Sequence, residues 1–384
     1  MTAIRILAAP LLCAAALIAF DAHAATATVT RAWQFKAAPD ARLQVDNLIG
    51  SVTLEPAADG AFHVTATITT EADSDAAAAT LARAVDFRSE DAGAKSTFQA
   101  LLPEDRFPII HDERSPKPSF FGRTYVDYLG ERRQISSDAR KAVKVRVDLK
   151  VRVPGSARLS VNNRLGPIEA HGVNADLSLD TARGSIASRD GRGSLEADTG
   201  AGAVAVASHE GDVDADTGSG EISIVDCACR ISADTGSGAV RVLRGRGSVE
   251  ADTGSGNVEI TDFAGSVNAD TGSGAVALKG LSEVRRLEAD TGSGGVTAEG
   301  DLSGLEHLDV DTGSGGVSIT GSGWPDMRIS MDVGSGSIEA DVPGGVLTRD
   351  GRGSAKLVIG AGTHRGRIST GSGGITVRAP ASAD

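Results

Sequence analysis

The residues Asp252-Thr253-Gly254-Ser255 match the signature around each catalytic carboxylate of an aspartic protease. In that chemistry two such aspartates share one proton, and repulsion between their like charges raises one pKa. This sequence contains too many copies of the signature. Asp-Thr-Gly-Ser-Gly begins at Asp216, Asp234, Asp252, Asp270, Asp290 and Asp311. Because a catalytic dyad needs two such residues, the ladder argues against a protease and indicates a repeat architecture.

The repeat predicts the fold class. Copies of the motif recur every 18 residues at first and every 20 or 21 residues later. Within one repeat, Val258 and Ile260 alternate with polar residues before a turn, and Val267 and Ala269 do the same before the next turn. Such alternation predicts short, half-buried strands that stack on their neighbours about 4.8 Å away. We therefore expect an all-β fold, a parallel β-solenoid of 18–21 residues per coil, right-handed as parallel crossovers are.

The repeated aspartate has two possible roles. A structural interpretation makes each Asp cap its own turn, because its carboxylate can accept hydrogen bonds from N–H groups two or three residues further on. A functional interpretation makes the ladder a calcium site, since a row of carboxylates repels itself and calcium favours oxygen ligands. The structural interpretation is the favoured one, and no metal or other cofactor is expected.

The chain begins with the pattern of a secretory signal peptide over residues 1–24: Arg5, then an apolar stretch, then Ala22-His23-Ala24. We expect a first coil and N-terminal strands over 25–72 and a helix and strand cap over 73–155. That cap contains a loop rich in proline and aromatic residues at 103–140. Solenoid repeats follow over 156–380, with a tail at 381–384.

Charge and hydropathy limit the partners. The net charge of −13 argues against binding to nucleic acid or to an anionic membrane surface. No stretch after the signal peptide is long and apolar enough to span a membrane. We expect an exported chain, periplasmic or secreted, with an envelope protein or a polysaccharide as partner. The pattern does not indicate an oligomeric state.

The two cysteines after the signal peptide and the aromatic residues of one long loop are further candidate functional groups. Cys227 and Cys229 form a Cys-x-Cys pair, for which a local structural disulfide is favoured over metal or redox chemistry. The predicted loop 103–140 is either a floppy insertion or a partner-binding segment. Its aromatic residues are Phe107, Phe120, Phe121, Tyr125 and Tyr128.

The sequence offers little catalytic machinery. The histidines are scattered without metal-ligand spacing, and no nucleophile-elbow motif is present. Parallel β-helices can carry polysaccharide lyases and hydrolases, but these need paired carboxylates beside sugar-stacking aromatic side chains. A carbohydrate-active enzyme therefore remains the alternative function, not the leading one.

The chain resembles the putative-adhesin family of bacterial β-strand-repeat proteins, a family of unknown function. The resemblance covers about residues 28–380 and rests on the coil Val45–Leu54, a charged helix with paired strands, Val153-Pro154-Gly155 and the repeated coils. It implies a right-handed single-stranded β-helix, an envelope location and no known catalysis. We therefore expect a non-enzymatic structural or adhesion scaffold, with a calcium-stabilised adhesive rod as a further alternative.

Overall fold

The structure is a computed structural model that describes residues 25–36, 41–92, 94–113, 124–138, 140 and 142–380. The predicted signal peptide, Phe120, Phe121 and the tail 381–384 lie outside the described residues. The chain forms two compact units, residues 1–194 and 195–384. Both are built from strands, with one short helix in the first unit among the described residues, so the all-β prediction is confirmed.

The first unit contains fourteen strands and one helix within its described part. They are β1 (Ala25–Lys36), β2 (Arg42–Ile49), β3 (Val52–Pro56), β4 (Ala61–Ala72), α1 (Asp75–Ala84), β5 (Asp86–Asp91), β6 (Lys95–Leu101), β7 (Ile109–His111), β8 (Thr124–Tyr128), β9 (Glu131–Ser136), β10 (Lys144–Val153), β11 (Arg158–Leu165), β12 (Ile168–His171), β13 (Asp176–Thr181) and β14 (Ile186–Arg189).

Two stacks of strands organise the first unit. In one stack, β6, β2, β11 and β13 pair in parallel, and β5 joins β6 in antiparallel fashion. In the other, β10, β3, β12 and β14 pair in parallel, and β4 links β10 to β1 through antiparallel pairing. The predicted loop 103–140 contains a separate three-stranded sheet in the order β7-β9-β8.

Helix α1 packs on β1 and β4. It begins after Ser74, whose hydroxyl accepts a hydrogen bond from the Ala77 N–H at 3.3 Å, as N-cap residues do. Its small buried residues, Ala78 and Ala82, let it lie close to the sheet. None of the helices in the described part of the chain is long and apolar enough to cross a membrane.

The second unit contains seventeen strands within its described part. They are β15 (Leu195–Thr199), β16 (Val204–Glu210), β17 (Val213–Thr217), β18 (Ile222–Thr235), β19 (Val240–Thr253), β20 (Val258–Thr271), β21 (Val276–Leu281), β22 (Arg286–Thr291), β23 (Val296–Asp301), β24 (His307–Thr312), β25 (Val317–Gly323), β26 (Met327–Val333), β27 (Ile338–Asp341), β28 (Gly345–Arg349), β29 (Ser354–Ile359), β30 (His364–Thr370) and β31 (Ile375–Arg378).

Strands one repeat apart pair in parallel and in register. Val258 lies opposite Val240 on one side and Val276 on the other, a separation of one repeat each way. All three side chains are buried. Apolar residues at equivalent positions of successive repeats therefore form continuous columns, and these columns are the core of the second unit.

The order of the last repeats departs from the sequence. β30 lies between β24 and β26, and β31 lies between β25 and β27. Beyond β26 the sheet continues with β29 and then β28, both antiparallel to their neighbours. The final segment of the chain is thus inserted beneath the repeat that precedes it in sequence.

Candidate functional site

The second strand of each repeat in the second unit presents the Asp of the Asp-Thr-Gly motif to solvent. In β19, Val249, Ala251 and Thr253 are buried, and the intervening Glu250 and Asp252 are exposed. This follows from the alternation of side chains along a strand. The same pattern recurs in β15, β17, β18, β20, β22 and β24.

In-register pairing aligns these outward residues into two columns. The outer column consists of Asp198, Asp216, Asp234, Asp252, Asp270, Asp290 and Asp311. The inner column, two residues earlier in each strand, consists of Glu196, Asp214, Ser232, Glu250, Asn268, Glu288 and Asp309. We call the two columns together the acidic face. Neighbouring strands are about 4.8 Å apart, so like charges follow one another at that spacing along the outer column.

The carboxylates of the outer column perturb one another. Partial burial raises the pKa of Asp216, Asp252, Asp270 and Asp290 above its ordinary value. The charges of neighbouring aspartates raise it further in each case. Both effects disfavour the charged form, so the column carries its negative charge at a cost in free energy.

Within the described residues, no Lys, Arg or His lies within ion-pair distance of Asp216, Asp234, Asp252 or Asp270. Basic side chains approach the face at its far end, where Arg286 and His307 both contact Glu288, the His307 Nε2 at 3.1 Å from Oε1. The outer column stops at the inserted strand β30, where the Ser369 hydroxyl donates to Asp311 Oδ1 at 2.7 Å. The carboxylates at the centre of the face therefore have no ion-pair partner among the described residues.

The turn after each outer-column Asp is held by the next residue, threonine. Thr253 Oγ1 donates to the Gly238 carbonyl of the adjacent repeat at 2.8 Å and accepts from the Gly256 N–H at 3.0 Å. Threonines at equivalent positions make the same pair of bonds, namely Thr217, Thr235, Thr271, Thr291, Thr312 and Thr370. The Gly256 N–H, four residues after Asp252, thus has its partner in Thr253. The Gly254 N–H, two residues after Asp252, donates to the Thr235 carbonyl at 3.1 Å and not to the aspartate.

The glycines of the motif permit the turns to stack closely. A Cβ at Gly256 would lie 1.7 Å from the Gly238 carbonyl oxygen, and one at Gly254 would lie 2.5 Å from that of Gly236. Neither Gly254 nor Gly256 has a positive φ. Close approach of neighbouring backbones, rather than a left-handed conformation, therefore requires glycine here.

The two cysteines lie elsewhere in the second unit. Cys227 and Cys229 are joined by a disulfide with a Cα–Cα distance of 5.5 Å, and both are buried. Cys227 lies opposite His209 in the preceding repeat and Gly245 in the next. Their position inside the stack makes the disulfide a packing element of the core rather than part of the acidic face.

The aromatic residues of the predicted binding loop are separated by the fold. Phe107 and Tyr128 are buried, and the Tyr128 hydroxyl donates to the Ala100 carbonyl at 2.6 Å. Tyr125 is 38% exposed and stacks against the Arg132 guanidinium. Phe107 and Tyr128 therefore pack the first unit, and Tyr125 is the one of these three that can contact a partner.

The first unit has an open cleft of about 700 Å³ between β4, β7 and β10. Four of its charged groups form two ion pairs: Lys144 with Glu71 at 2.5 Å and Arg146 with Asp148 at 2.7 Å. Asp148 also accepts hydrogen bonds from the Ser51 N–H and hydroxyl. Such mutual pairing is typical of a structural network rather than of a reactive site.

In the described part of the chain, no group of three or more His, Cys, Asp or Glu side chains is arranged to hold a metal ion. The six aspartates of the possible calcium ladder are all present in the outer column, where they form a line rather than a cage. Sequence reasoning identified this column but missed the inner one. The signal was available, since an acidic residue stands two positions before most of these aspartates.

The fold and this surface define a class: an all-β repeat protein with a polyanionic face. No protein-family model matches the sequence, and no curated protein matches it significantly. Solved structures similar to this chain include a putative adhesin from Parabacteroides distasonis, 13% identical, which covers 90% of this chain and 96% of that one with a TM-score of 0.31.

Two further solved structures are also similar to this chain. A putative cell adhesion protein from Clostridium sporogenes is 9% identical and covers 91% of this chain and 99% of that one, with a TM-score of 0.22. A putative lipid-binding protein from Parabacteroides distasonis is 12% identical over 90% of this chain and 96% of that one, with a TM-score of 0.30. The putative adhesins among these structures are consistent with the family that the sequence resembles. Because their TM-scores are below 0.5, nothing about function is inferred from them.

Proposed function

We propose that this chain is a non-enzymatic, exported β-solenoid that serves as an interaction scaffold in the bacterial cell envelope, with the acidic face as its binding surface. The observation that supports this most directly is the outer column of seven carboxylates, which lie in register on the solvent side beside the five carboxylates of the inner column. The turn bonds are made by threonine, so the aspartates of the outer column are not needed to close the turns. A right-handed coil accords with the parallel pairing of strands one repeat apart.

The chemistry of the face selects the partner. Repulsion along the columns is relieved when cations bind between the carboxylates. The face has no aromatic side chain on which a sugar ring could stack. An extended, basic segment of an envelope protein fits better than an acidic polysaccharide, because its Lys or Arg side chains can follow a line of evenly spaced negative charges.

Binding of a fluorescent oligolysine to the mature chain, measured by anisotropy, tests this proposal. The variant Glu250→Gln/Asp252→Asn/Asp270→Asn removes three charges from the centre of the face. We expect it to weaken oligolysine binding about tenfold, since exposed ion pairs contribute about 0.5 kcal/mol each. Binding to the wild type should also fall steeply as NaCl is raised.

A matched control removes three exposed carboxylates from the first unit, Glu90→Gln/Glu104→Gln/Glu131→Gln. It has the same net charge as the face variant and should bind oligolysine like the wild type. Equal losses in both variants would show that only net charge matters, and would contradict a binding surface at the face. Absence of binding to the wild type at low salt would do the same.

Two further assays separate the alternatives. Saturable calcium binding that a chelator reverses, with a matching fall in melting temperature, would favour the calcium-stabilised rod over a basic partner. New reducing ends or unsaturated products after incubation with acidic and neutral glycans would favour the carbohydrate-active enzyme. Export is tested by N-terminal sequencing of the protein produced in a bacterial host, whose first residue should be Ala25.

A further inference from the structure

The C-terminal repeat, β30 and β31, lies out of sequence order within the second unit. β30 pairs in parallel with β24 on one side and β26 on the other, and β31 does so with β25 and β27. The penultimate repeat, β26 and β27, follows β24 and β25 in sequence but does not pair with them in the described structure. Two adjacent repeats of the chain are thus held apart by its last one.

The inserted repeat is bonded like any interior repeat. Thr370 Oγ1 donates to the Gly315 carbonyl at 2.7 Å and accepts from the Gly373 N–H at 3.0 Å. The Gly371 N–H donates to the Thr312 carbonyl, and the Gly334 N–H donates to the Thr370 carbonyl. In the penultimate repeat the equivalent residue is Val333, which has no hydroxyl to make these bonds.

The connection into the inserted repeat crosses the start of β26. The segment 360–363 joins β29 to β30, which flank β26 on its two sides. Asp326 holds the crossing: its Oδ1 accepts from the Ala361 N–H at 3.1 Å and its carbonyl accepts from the His364 N–H at 2.9 Å. A Cβ at Gly360, where φ is 59°, would lie 1.5 Å from Asp326 Oδ1.

The penultimate repeat also keeps the register needed to pair directly with β24 and β25. Asp332 follows Asp311 by 21 residues, the same step that separates Asp290 from Asp311 in the paired strands β22 and β24. Direct pairing would place Ile329 on Leu308 and Met331 on Val310, so apolar side chains would remain matched. All four of these residues are buried in the inserted arrangement.

We propose that the second unit has two arrangements: an inserted one, as described, and a closed one in which β26 and β27 pair directly with β24 and β25. In the closed arrangement the C-terminal repeat is released, and both of its strand edges are left unpaired. The inserted arrangement predominates because in it the C-terminal repeat has a paired strand on each of its two sides.

Cysteine pairs in the otherwise intact mature chain distinguish the two arrangements. Ser318 lies directly opposite Thr376, which lies directly opposite Glu339. Ser318→Cys/Thr376→Cys should therefore form a disulfide in the inserted arrangement. Ser318→Cys/Glu339→Cys spans two strand spacings, about 9.6 Å, which is too far for a disulfide, and can cross-link only after closure.

The matched control is Glu259→Cys/Thr297→Cys, which also spans two strand spacings, across Ala277 in the uninterrupted stack. Cross-links are formed in oxidised glutathione at a urea concentration below the unfolding midpoint. Peptide mass spectrometry then identifies them and distinguishes them from the native Cys227–Cys229 disulfide. We call Ser318→Cys/Glu339→Cys the closure pair. We expect it to cross-link at least about tenfold faster than the control pair, because release of the C-terminal repeat is a partial opening that leaves the rest of the stack intact. The trapped form should be cut by trypsin after Arg365 or Arg367.

Two results would overturn the proposal. If Ser318→Cys/Thr376→Cys fails to cross-link, the C-terminal repeat is not inserted in solution. If the closure pair cross-links no faster than the control pair, the inserted arrangement is static. Since none of these positions belongs to the acidic face, neither result bears on oligolysine binding.

Discussion

A single buried threonine hydroxyl closes most repeats of the second unit. Thr253 is completely buried and bonds both the adjacent repeat and its own turn, whereas its neighbour Asp252 is exposed. In the first unit Asn163 occupies the equivalent position and plays the same part, its amide donating to the Gly50 carbonyl at 2.9 Å. The motif thus divides its work between two adjacent residues: threonine closes the turn, and aspartate faces the solvent.

This division predicts different effects for substitutions at adjacent positions. Thr253→Val keeps the size of the side chain but leaves the Gly238 carbonyl and the Gly256 N–H without their partner. We expect it to lower the free energy of unfolding by about 1–3 kcal/mol. Asp252→Asn should change it by less than about 0.5 kcal/mol. Urea unfolding of both variants measures these changes. An equal loss of unfolding free energy in the two variants would show that the aspartate contributes as much to the turn as the threonine does.

The sequence predicted the inward positions of the strands but not the turn bonds that the threonines make. Alternation alone determines which side of a strand a residue occupies, so the burial of Val258 and Ile260 could be anticipated. Asp and Thr are both short polar residues that bond turn amides, so residue type alone does not tell which of the two makes the turn bonds. The inverted order of the last repeats was not predicted, because every repeat offers a compatible edge. Val333 in place of threonine was its one local signal.

At the scale of the element, close stacking of turns is what the glycines supply. Parallel strands can follow one another at a constant spacing only if the turns that join them also stack at that spacing. The Gly-Ser-Gly turns satisfy this because a backbone without a Cβ can lie against the carbonyl of the next turn. The acidic face depends on this regularity, because a shift in any one turn would break the columns.

Two glycine substitutions test the role of stacking. Gly256→Ala would place a methyl group 1.7 Å from a backbone oxygen, so neighbouring turns must move apart. We expect a loss of about 1–3 kcal/mol in the free energy of unfolding, as for overpacked sites. Gly155→Ala is the control, since nothing lies within 4 Å of its Cβ position and its φ is not positive. A similar loss in both would show that backbone freedom, not stacking, requires glycine.

At the scale of the whole molecule, much of the net charge of −13 is concentrated on one surface. Carboxylates with raised pKa values lie in the outer column, whereas those with lowered values, Asp59, Asp176, Asp226 and Asp301, accept hydrogen bonds from neighbouring groups. At Asp226, for example, the hydrogen-bonded Arg244 guanidinium lowers the pKa. The two groups respond to pH in different ranges, and this separates the contribution of the face from that of the structural ion pairs.

The pH dependence of stability should therefore identify the face. A carboxyl whose folded-state pKa is raised takes up its proton in the folded protein first, so its destabilising effect disappears as the pH falls from 7 toward the ordinary Asp pKa of about 3.9. Asp216→Asn/Asp252→Asn/Asp270→Asn/Asp290→Asn lacks this effect. We expect this variant to be more stable than the wild type at neutral pH, with the difference shrinking toward about pH 4.5.

Asp226→Asn is the control for this experiment, since a group with a lowered pKa keeps its stabilising effect until the pH falls below its ordinary range. That variant should lose the same stability at pH 7 and at about pH 4.5. Urea unfolding of the three proteins at both pH values measures the differences. If the difference in unfolding free energy between the fourfold variant and the wild type is the same at the two pH values, the outer-column carboxylates do not repel one another in the folded protein. Cations that bind between them would then relieve no repulsion.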